Sequence, residues 1–295
     1  MMSPSPRLVG LACAVAAPLC WSVGGLVMRS VAAAPWDIVF WRSAGAVLAF
    51  PLLLLLLGAS SLRDMRHAGW RAPLLVACIV GTLTLHVLAM SRTSVANVLI
   101  VQSISPFLVA VLAHLLLGER PGRVGWIVIA AAFAGLVPVL GGSLASAQVD
   151  GRLDGDLLAL GVALCSATMA TVVRGARGLN LLPATPIACA VTCVGALPLG
   201  ATLATGVGGA AALMALGVVQ LTLGISFFFL ALRRLPASQV TLIALLEPVL
   251  GPLWVWLALG EEPPAATLVG GAVVLTALVT NAVIFARRPL PALAP

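Results

Sequence analysis

The side chains that could bind a ligand or move a proton in this chain lie within long apolar runs. Glu247 is the one carboxylate deep inside such a run. A charge in an apolar medium is costly, so this group pairs, is neutralised or faces water. His86, also inside a run, can hydrogen-bond a carboxylate or an amine and can transfer protons near neutral pH. Both residues are candidates for lining a polar cavity, with plain burial and helix linking as the alternatives.

Three uncharged polar side chains and one tryptophan extend this set of cavity candidates. Asn97, Gln102 and Gln220 can contact a ligand, or they can join helices through hydrogen bonds worth well under ~2 kcal/mol each. Trp21 is distant from both ends of its apolar run. It can form the apolar wall of a cavity or pack in a core.

Three basic side chains inside apolar runs are candidate partners of the Glu247 carboxylate, namely Arg42, His86 and His114. Asp37 is five residues before Arg42, a spacing that does not bring two side chains together on a helix. We therefore expect Asp37 to face water at the end of its run.

Two prolines occupy matching positions in a duplicated stretch. Residues 89–137 align without a gap with residues 231–279 at an offset of 142, and Pro106 then matches Pro248. Self-similarity at a fixed offset indicates a duplicated supersecondary unit. A proline within a helix removes a backbone donor and frees a carbonyl, so each is a candidate helix break, with a simple packing kink as the alternative.

Two glutamates also match in the duplication, each in a Gly-Glu pair at the end of an apolar run. An acid at the C-terminus of a helix opposes the helix dipole. Glu119 and Glu261 are therefore each expected to meet an arginine or the N-terminal end of another helix. We interpret them as structural or gating residues.

The elements that position these residues are predicted to be membrane-spanning helices. The chain is 61% hydrophobic and 8% charged, with a mean hydropathy of +1.16, whereas soluble domains have about 25% charged residues. A spanning helix needs about 20 mostly apolar residues. The sequence predicts an all-α membrane protein with ten such spans: Leu8–Met28, Asp37–Leu57, Pro73–Met90, Val95–Leu117, Gly125–Leu140, Leu157–Val173, Leu181–Thr205, Ala210–Leu232, Ala237–Leu259 and Ala265–Ala286.

The arginines predict the orientation of these spans, since cytoplasmic loops are enriched in positive charge. With the N-terminus in the cytoplasm, twelve of the 16 arginines fall in inner segments and three in outer ones. Residues 1–142 and 154–288 then form two five-helix repeats within one membrane unit. Because five is odd, the second repeat is inverted relative to the first, as in many secondary transporters.

Inverted repeats place a binding site near the bilayer midplane, where the repeats meet. Each proline is the twelfth residue of its predicted span, and thus near that depth. We therefore expect a central cavity bounded by the first, third, fourth, sixth, eighth and ninth helices. His86, Gln102 and Gln220 are expected to reach it.

The duplicated pattern resembles the EamA-type branch of the drug/metabolite transporter superfamily, whose members have two five-helix repeats. The residues that carry the resemblance are Pro106, Gly118, Glu119, Pro248, Gly260 and Glu261. The resemblance implies a secondary exporter in a bacterial inner membrane, with both termini cytoplasmic. Small neutral or amphipathic metabolites are the expected substrates, amino acids first among them, and a multidrug or other metabolite exporter of the same fold is the alternative.

Other function classes find less support in the sequence. The chain has no lysine, which excludes the phosphate-binding loop of common ATPases, and it lacks a paired-aspartate or His-Glu-x-x-His pattern for an intramembrane enzyme. Its six cysteines form no Cys-x-x-Cys pair, so we expect no metal or other cofactor. A channel would need rings of like groups. The expected partners are a small-molecule substrate and the lipid bilayer, without nucleic acid; protons are a candidate coupling ion, and a monomer is expected to suffice.

Overall fold

The protein is described here by a computed structural model. It describes residues 6–57, 62–118, 152–176, 179–232 and 246–286, together with isolated positions between 126 and 137 and between 234 and 244. Most of the predicted span Gly125–Leu140, most of the linker between the repeats, and Glu119 lie outside the described residues.

Helices make up nearly all of the described chain. Their bounds are α1 Pro6–Ser22, α2 Gly24–Ser30, α3 Pro35–Leu57, α4 Leu62–His67, α5 Arg71–Met90, α6 Val95–Gln102, α7 Ser105–Leu117, α8 Arg152–Gly175, α9 Ala184–Ala196, α10 Val207–Leu216, a π-helical segment Gly217–Gly224, α11 Ile225–Leu232, α12 Leu246–Leu259 and α13 Ala265–Ala286.

Five helical stretches of the described chain are long and apolar enough to cross a membrane, and some of them combine two consecutive elements. They are Arg7–Ser30, Arg71–Met90, Val95–Leu117, Leu153–Gly175 and Val207–Ala231, and Ala184–Ala196 and Leu246–Leu259 are shorter apolar helices. The all-helical class, with five clear apolar spans among the described residues, is thus as the sequence predicts. The count of ten spans stays a prediction.

Packing between the helices joins the two halves of the chain closely. α5 contacts α8 most extensively, α9 lies against α3 and α5, and α1 lies against α11 and α12. The largest buried cluster combines residues of α3, α6, α8 and α10 and includes Val98, Ile104 and Phe107. Each half therefore completes the core of the other.

Two glycines bring α3 into backbone contact with the end of α10 and the start of the π-helical segment. A Cβ atom at Gly45 would overlap the carbonyl of Met214, and one at Gly217 would overlap the carbonyl of Arg42. Small residues permit such close approach between membrane helices. π-Helical turns are rare and are frequent at functional sites.

The seventh predicted span, Leu181–Thr205, is wrong at its C-terminal end. Helix α9 ends at Ala196, a turn follows, and residues 201–206 are irregular. Pro198 and Gly200 lie in that turn, and Gly200 has a φ of +117°, which glycine tolerates. Hydropathy alone extended the span because these residues are apolar.

Asp37 holds this irregular segment in place. Its carboxylate accepts hydrogen bonds from the Thr202 amide at 2.7 Å, the Thr202 hydroxyl at 2.9 Å, the Leu203 amide at 3.0 Å and the Thr205 hydroxyl at 3.4 Å. The residue is 2% exposed. The expectation that Asp37 faces water is therefore wrong, because its oxygens replace water for a loop that lacks helical hydrogen bonds.

Candidate functional site

A cavity of about 170 Å³ lies among five of the spans. It is lined by residues from α1, α6 and α7, α8, α11 and the ninth span, which are Trp21, Leu99, Gln102, Ser103, Ser105, Pro106, Val109, Ser166, Met169, Ala170, Phe228, Ala244, Glu247 and Pro248. The two matched prolines thus meet at one void, together with three of the cavity candidates.

The fourth span is interrupted beside its proline. Helix α6 ends at Gln102, two turn residues follow, and α7 begins at Ser105. The amides of Phe107 and Leu108 both bond the carbonyl of Ile104, so the new helix starts there. Proline is favoured in the first turn of a helix because that turn needs no donor from it.

The ninth span is interrupted in the same way. Ala244 is in a turn, its carbonyl accepts the Glu247 amide at 3.1 Å, and α12 begins at Leu246. Pro248 then lies in the first turn of α12. Irregular backbone at membrane depth is tolerated where protein or a cavity covers it. The matched interruptions therefore build two opposite parts of the cavity wall.

Gln102 reaches the cavity, and His86 lies behind it. The Nε2 atom of Gln102 and Nδ1 of His86 are 2.9 Å apart and share a hydrogen bond. His86 is not in the lining, and no residue of the third span is. The third span therefore contributes to the cavity indirectly, because His86 orients the Gln102 amide.

Gln220 also lies outside the lining, directly behind Trp21. Its Nε2 atom donates to the Trp21 carbonyl at 2.7 Å, and Trp21 Nε1 donates to the Gln220 carbonyl at 3.0 Å. The Trp21 ring lies 5.3 Å from the Phe228 ring, with a tilt of 51°. The amide that was expected to reach the cavity instead positions an aromatic wall.

Asn97 has a separate place near the start of α6. Its Nδ2 atom lies 3.4 Å from both Thr93 Oγ1 and Asp156 Oδ1. Asp156 is fully buried at the start of α8. The structure therefore places Asn97 between helices, away from the cavity, and it shows a buried aspartate that the sequence analysis did not single out.

None of the three basic residues considered for Glu247 contacts its carboxylate. Arg42 donates from Nη2 to the Leu83 carbonyl at 2.7 Å, His86 bonds Gln102, and the His114 ring packs edge-on against Trp126. The described part of the chain shows no hydrogen bond or ion pair to the Glu247 carboxylate, which lies in the cavity lining.

Glu261 meets both kinds of partner expected for it. Its Oε2 atom is 3.3 Å from Arg29 Nε, and its Oε1 atom accepts the Val95 amide at 3.2 Å. Arg29 also donates to the Thr93 carbonyl at 2.7 Å. These contacts tie the ends of the first, fourth and ninth spans, three of the five that line the cavity. Glu119 is outside the described residues.

Two further contacts join the halves at this same end of the molecule. Arg92 Nη1 lies 3.9 Å from Asp154 Oδ2, and Asp37 holds Thr202 as described above. Pro248 is 13 positions before Glu261, or about 20 Å of helix. The cavity is therefore well separated from these polar contacts.

Several lining residues were not foreseen. Ser166 and Met169 of α8 and Phe228 of α11 form walls of the cavity. The sequence places all three within spans, but hydropathy gives no sign of which helix face they share. Among the described residues, no group of three or more His, Cys, Asp and Glu side chains could hold a metal ion.

The model of the EamA-like transporter family matches the chain twice, at residues 8–141 and 153–283. Among solved structures, a crystal structure of a protein 20% identical in sequence covers 97% of this chain, with 99% of its own chain aligned and a TM-score of 0.67. At that identity the likeness shows the fold alone. No curated protein matches the chain significantly. The family match spans both halves that form the cavity, and the chain belongs to the EamA-like transporter family of multi-pass membrane proteins in the drug/metabolite transporter superfamily.

Proposed function

We propose that this protein is a secondary transporter that exports small neutral or amphipathic metabolites, with amino acids as the first candidates. The observation that carries the proposal is the cavity between the two interrupted spans, at Pro106 and Pro248. Broken helices at the junction of two repeats are where secondary transporters bind their substrates.

The size of the cavity supports a small metabolite over a larger drug. Its volume of about 170 Å³ is below the range of about 300–1,000 Å³ that is typical of drug-sized ligands. Most of its lining is apolar, with Trp21, Met169 and Phe228 as large side chains. This combination suits a compact molecule with an apolar part.

The contacts at Glu261 support alternating access. They close one end of three cavity-lining spans through a partly exposed ion pair and one hydrogen bond to a backbone amide. Such contacts are weak enough to break and re-form, since exposed ion pairs contribute about 0–1 kcal/mol. Glu261, and by sequence match Glu119, are therefore gating candidates. Protons are a candidate coupling ion.

The proposed setting is a bacterial inner membrane with both termini in the cytoplasm, as the distribution of arginines predicts. We expect a monomer to be sufficient for transport, because both repeats that bound the cavity belong to one chain.

Purified protein in reconstituted vesicles tests this function directly. A panel of radiolabelled neutral amino acids and small drugs is loaded, and release is followed without ATP. We expect at least one small metabolite to cross faster than in protein-free vesicles, with saturable kinetics. An ion current or a hydrolytic activity in place of metabolite movement would contradict the proposal.

A further inference from the structure

Most side chains that carry a hydrogen-bond donor in the cavity lining have a partner within the protein, and the hydroxyl of Ser166 is the exception among the described lining residues. Gln102 Nε2 is engaged with His86, and Trp21 Nε1 donates to a backbone carbonyl. The hydroxyl of Ser103 donates to Ile100, and that of Ser105 donates to Ala163. A ligand therefore finds few free donors on these walls.

Hydrogen-bond acceptors are available, by contrast. Glu247 presents two carboxylate oxygens in the lining, with no partner for them among the described residues. A carboxylate without water or a partner is strongly disfavoured. The cavity therefore has an unmet need for a donor or a positive charge, which water, a proton or a cationic ligand can supply.

Among the described residues, the cavity lining holds no positively charged side chain. Arg42 is a buried arginine within a described span, but it lies outside the lining and donates to the Leu83 carbonyl. A carboxylate on the ligand would thus lose its water without gaining a cation. Two aromatic rings, Trp21 and Phe228, complete the wall, and aromatic faces also attract cations.

We propose that Glu247 binds the ammonium group of the transported molecule, and that the cavity prefers amines without a carboxylate over zwitterionic amino acids. The inference rests on the proposed transport function and, within its class of small amphipathic metabolites, places amines ahead of the amino acids named there as first candidates. The amine meets Glu247, the apolar part meets Trp21 and Phe228, and the absence of a cation in the lining selects against a carboxylate.

Three ligands of one carbon skeleton separate these contributions in a binding measurement. L-leucinamide carries an ammonium and no carboxylate, 4-methylpentanamide lacks the ammonium, and L-leucine carries both charges. Thermal unfolding of the purified protein is followed at increasing ligand concentration near pH 6, below the usual α-amino pKa of about 8. Ligands that bind the folded state raise the unfolding temperature, and at a fixed concentration the increase grows with the logarithm of their affinity.

We expect L-leucinamide to bind at least about tenfold more tightly than 4-methylpentanamide, since a charged hydrogen bond is worth about a factor of ten or more. L-leucine should bind more weakly than L-leucinamide. Equal binding of the two amides by the wild-type protein would overturn the proposal without any variant being needed.

Glu247→Gln keeps the shape of the side chain and removes its charge. We expect it to lose the preference for L-leucinamide over 4-methylpentanamide, while Glu247→Asp keeps the preference at lower affinity. Glu262→Gln is the matched control, because Glu262 is exposed and outside the lining. Unchanged L-leucinamide binding in Glu247→Gln would refute the proposal.

Transport of the same ligands in vesicles separates this inference from the proposed function. Glu247-dependent amine binding without any movement across the membrane would support the inference and contradict the transport function. Movement of all three ligands with equal efficiency, also by Glu247→Gln, would support transport and overturn the inference.

Discussion

Trp21 and Gln220 hold each other through two hydrogen bonds in opposite directions. The indole Nε1 of Trp21 donates to the Gln220 carbonyl at 3.0 Å, and Gln220 Nε2 donates to the Trp21 carbonyl at 2.7 Å. The pair joins the first span to the π-helical segment, which lie in different halves of the chain. It fixes the aromatic wall of the cavity from behind.

Replacement of Gln220 by Leu removes one of these bonds while keeping a similar volume. We expect the free energy of unfolding to fall by about 1 kcal/mol, typical of an interhelical bond, and transport to slow because Trp21 loses its support. Thermal unfolding and vesicle transport measure the two effects. Thr168→Val is the control, since that exposed hydroxyl bonds its own helix at Leu164; an equal loss there would contradict a specific role.

Pro248→Ala should leave the protein folded, because alanine suits a helix, yet slow transport. Alanine restores a backbone donor and allows the ninth span to straighten through the cavity wall. We expect a larger effect in the Pro106→Ala, Pro248→Ala double variant. Pro252→Ala is the control, since Pro252 lies within α12 outside the lining. Full transport by the double variant would show that the interruptions are not needed.

Glu261→Gln should weaken the contacts that close one end of the molecule. The ion pair with Arg29 is about one-third exposed, so the loss of stability should stay below about 1 kcal/mol. A cysteine introduced at Leu99, in a cysteine-free background, should nevertheless react faster with a water-soluble maleimide.

Glu262→Gln again provides the control for this experiment. Exchange of the two charges in Arg29→Glu, Glu261→Arg should restore slow labelling in part, because it restores the ion pair but not the bonds to Val95 and Thr93. Equal labelling rates in all variants would argue against a gate at this position.

Asp37→Asn should destabilise the protein by about 1–3 kcal/mol, because a buried group loses well-satisfied hydrogen bonds to Thr202 and Leu203. Asp154→Asn is the matched control: its side chain is 69% exposed and 3.9 Å from Arg92, so we expect almost no change. Thermal unfolding of both variants tests the difference. Similar stability of the two would mean that the Asp37 contacts are energetically minor.

The arginine distribution predicts that both termini and residues 63–71 are cytoplasmic, while residues 141–156 face outward. Single cysteines at Arg66 and Gln148, in a background without the six free native cysteines, can be labelled in whole cells with a membrane-impermeant reagent. We expect labelling at position 148 alone. The reverse pattern would invert the whole topology.

Much of the fold could be predicted because hydropathy and the duplication indicate how deep in the membrane each residue lies. Val95–Leu117 and Ala265–Ala286 begin and end as the sequence predicts, and the interruptions occur one turn before the matched prolines. Depth also brought Trp21 and Gln102 to the same cavity.

Which side chains face the cavity depends on the rotation of each helix about its axis. The sequence pattern does not indicate this rotation when a span is apolar on all sides. Gln220 and His86 are at suitable depths but face Trp21 and Gln102 rather than the void. The irregular loop at Thr202 could not be predicted from hydropathy, because it depends on Asp37, which accepts a hydrogen bond from the Thr202 amide. Both outcomes depend on pairs of residues that are distant in sequence.

The contacts at Gly45 and Gly217 limit which substitutions this chain can tolerate. A Cβ atom at either position would overlap a backbone carbonyl of the facing helix, so even alanine would push the two helices apart. One of these helices belongs to the first half of the chain and the other to the second. The fit between the two halves at this place therefore depends on two residues that have no side chain.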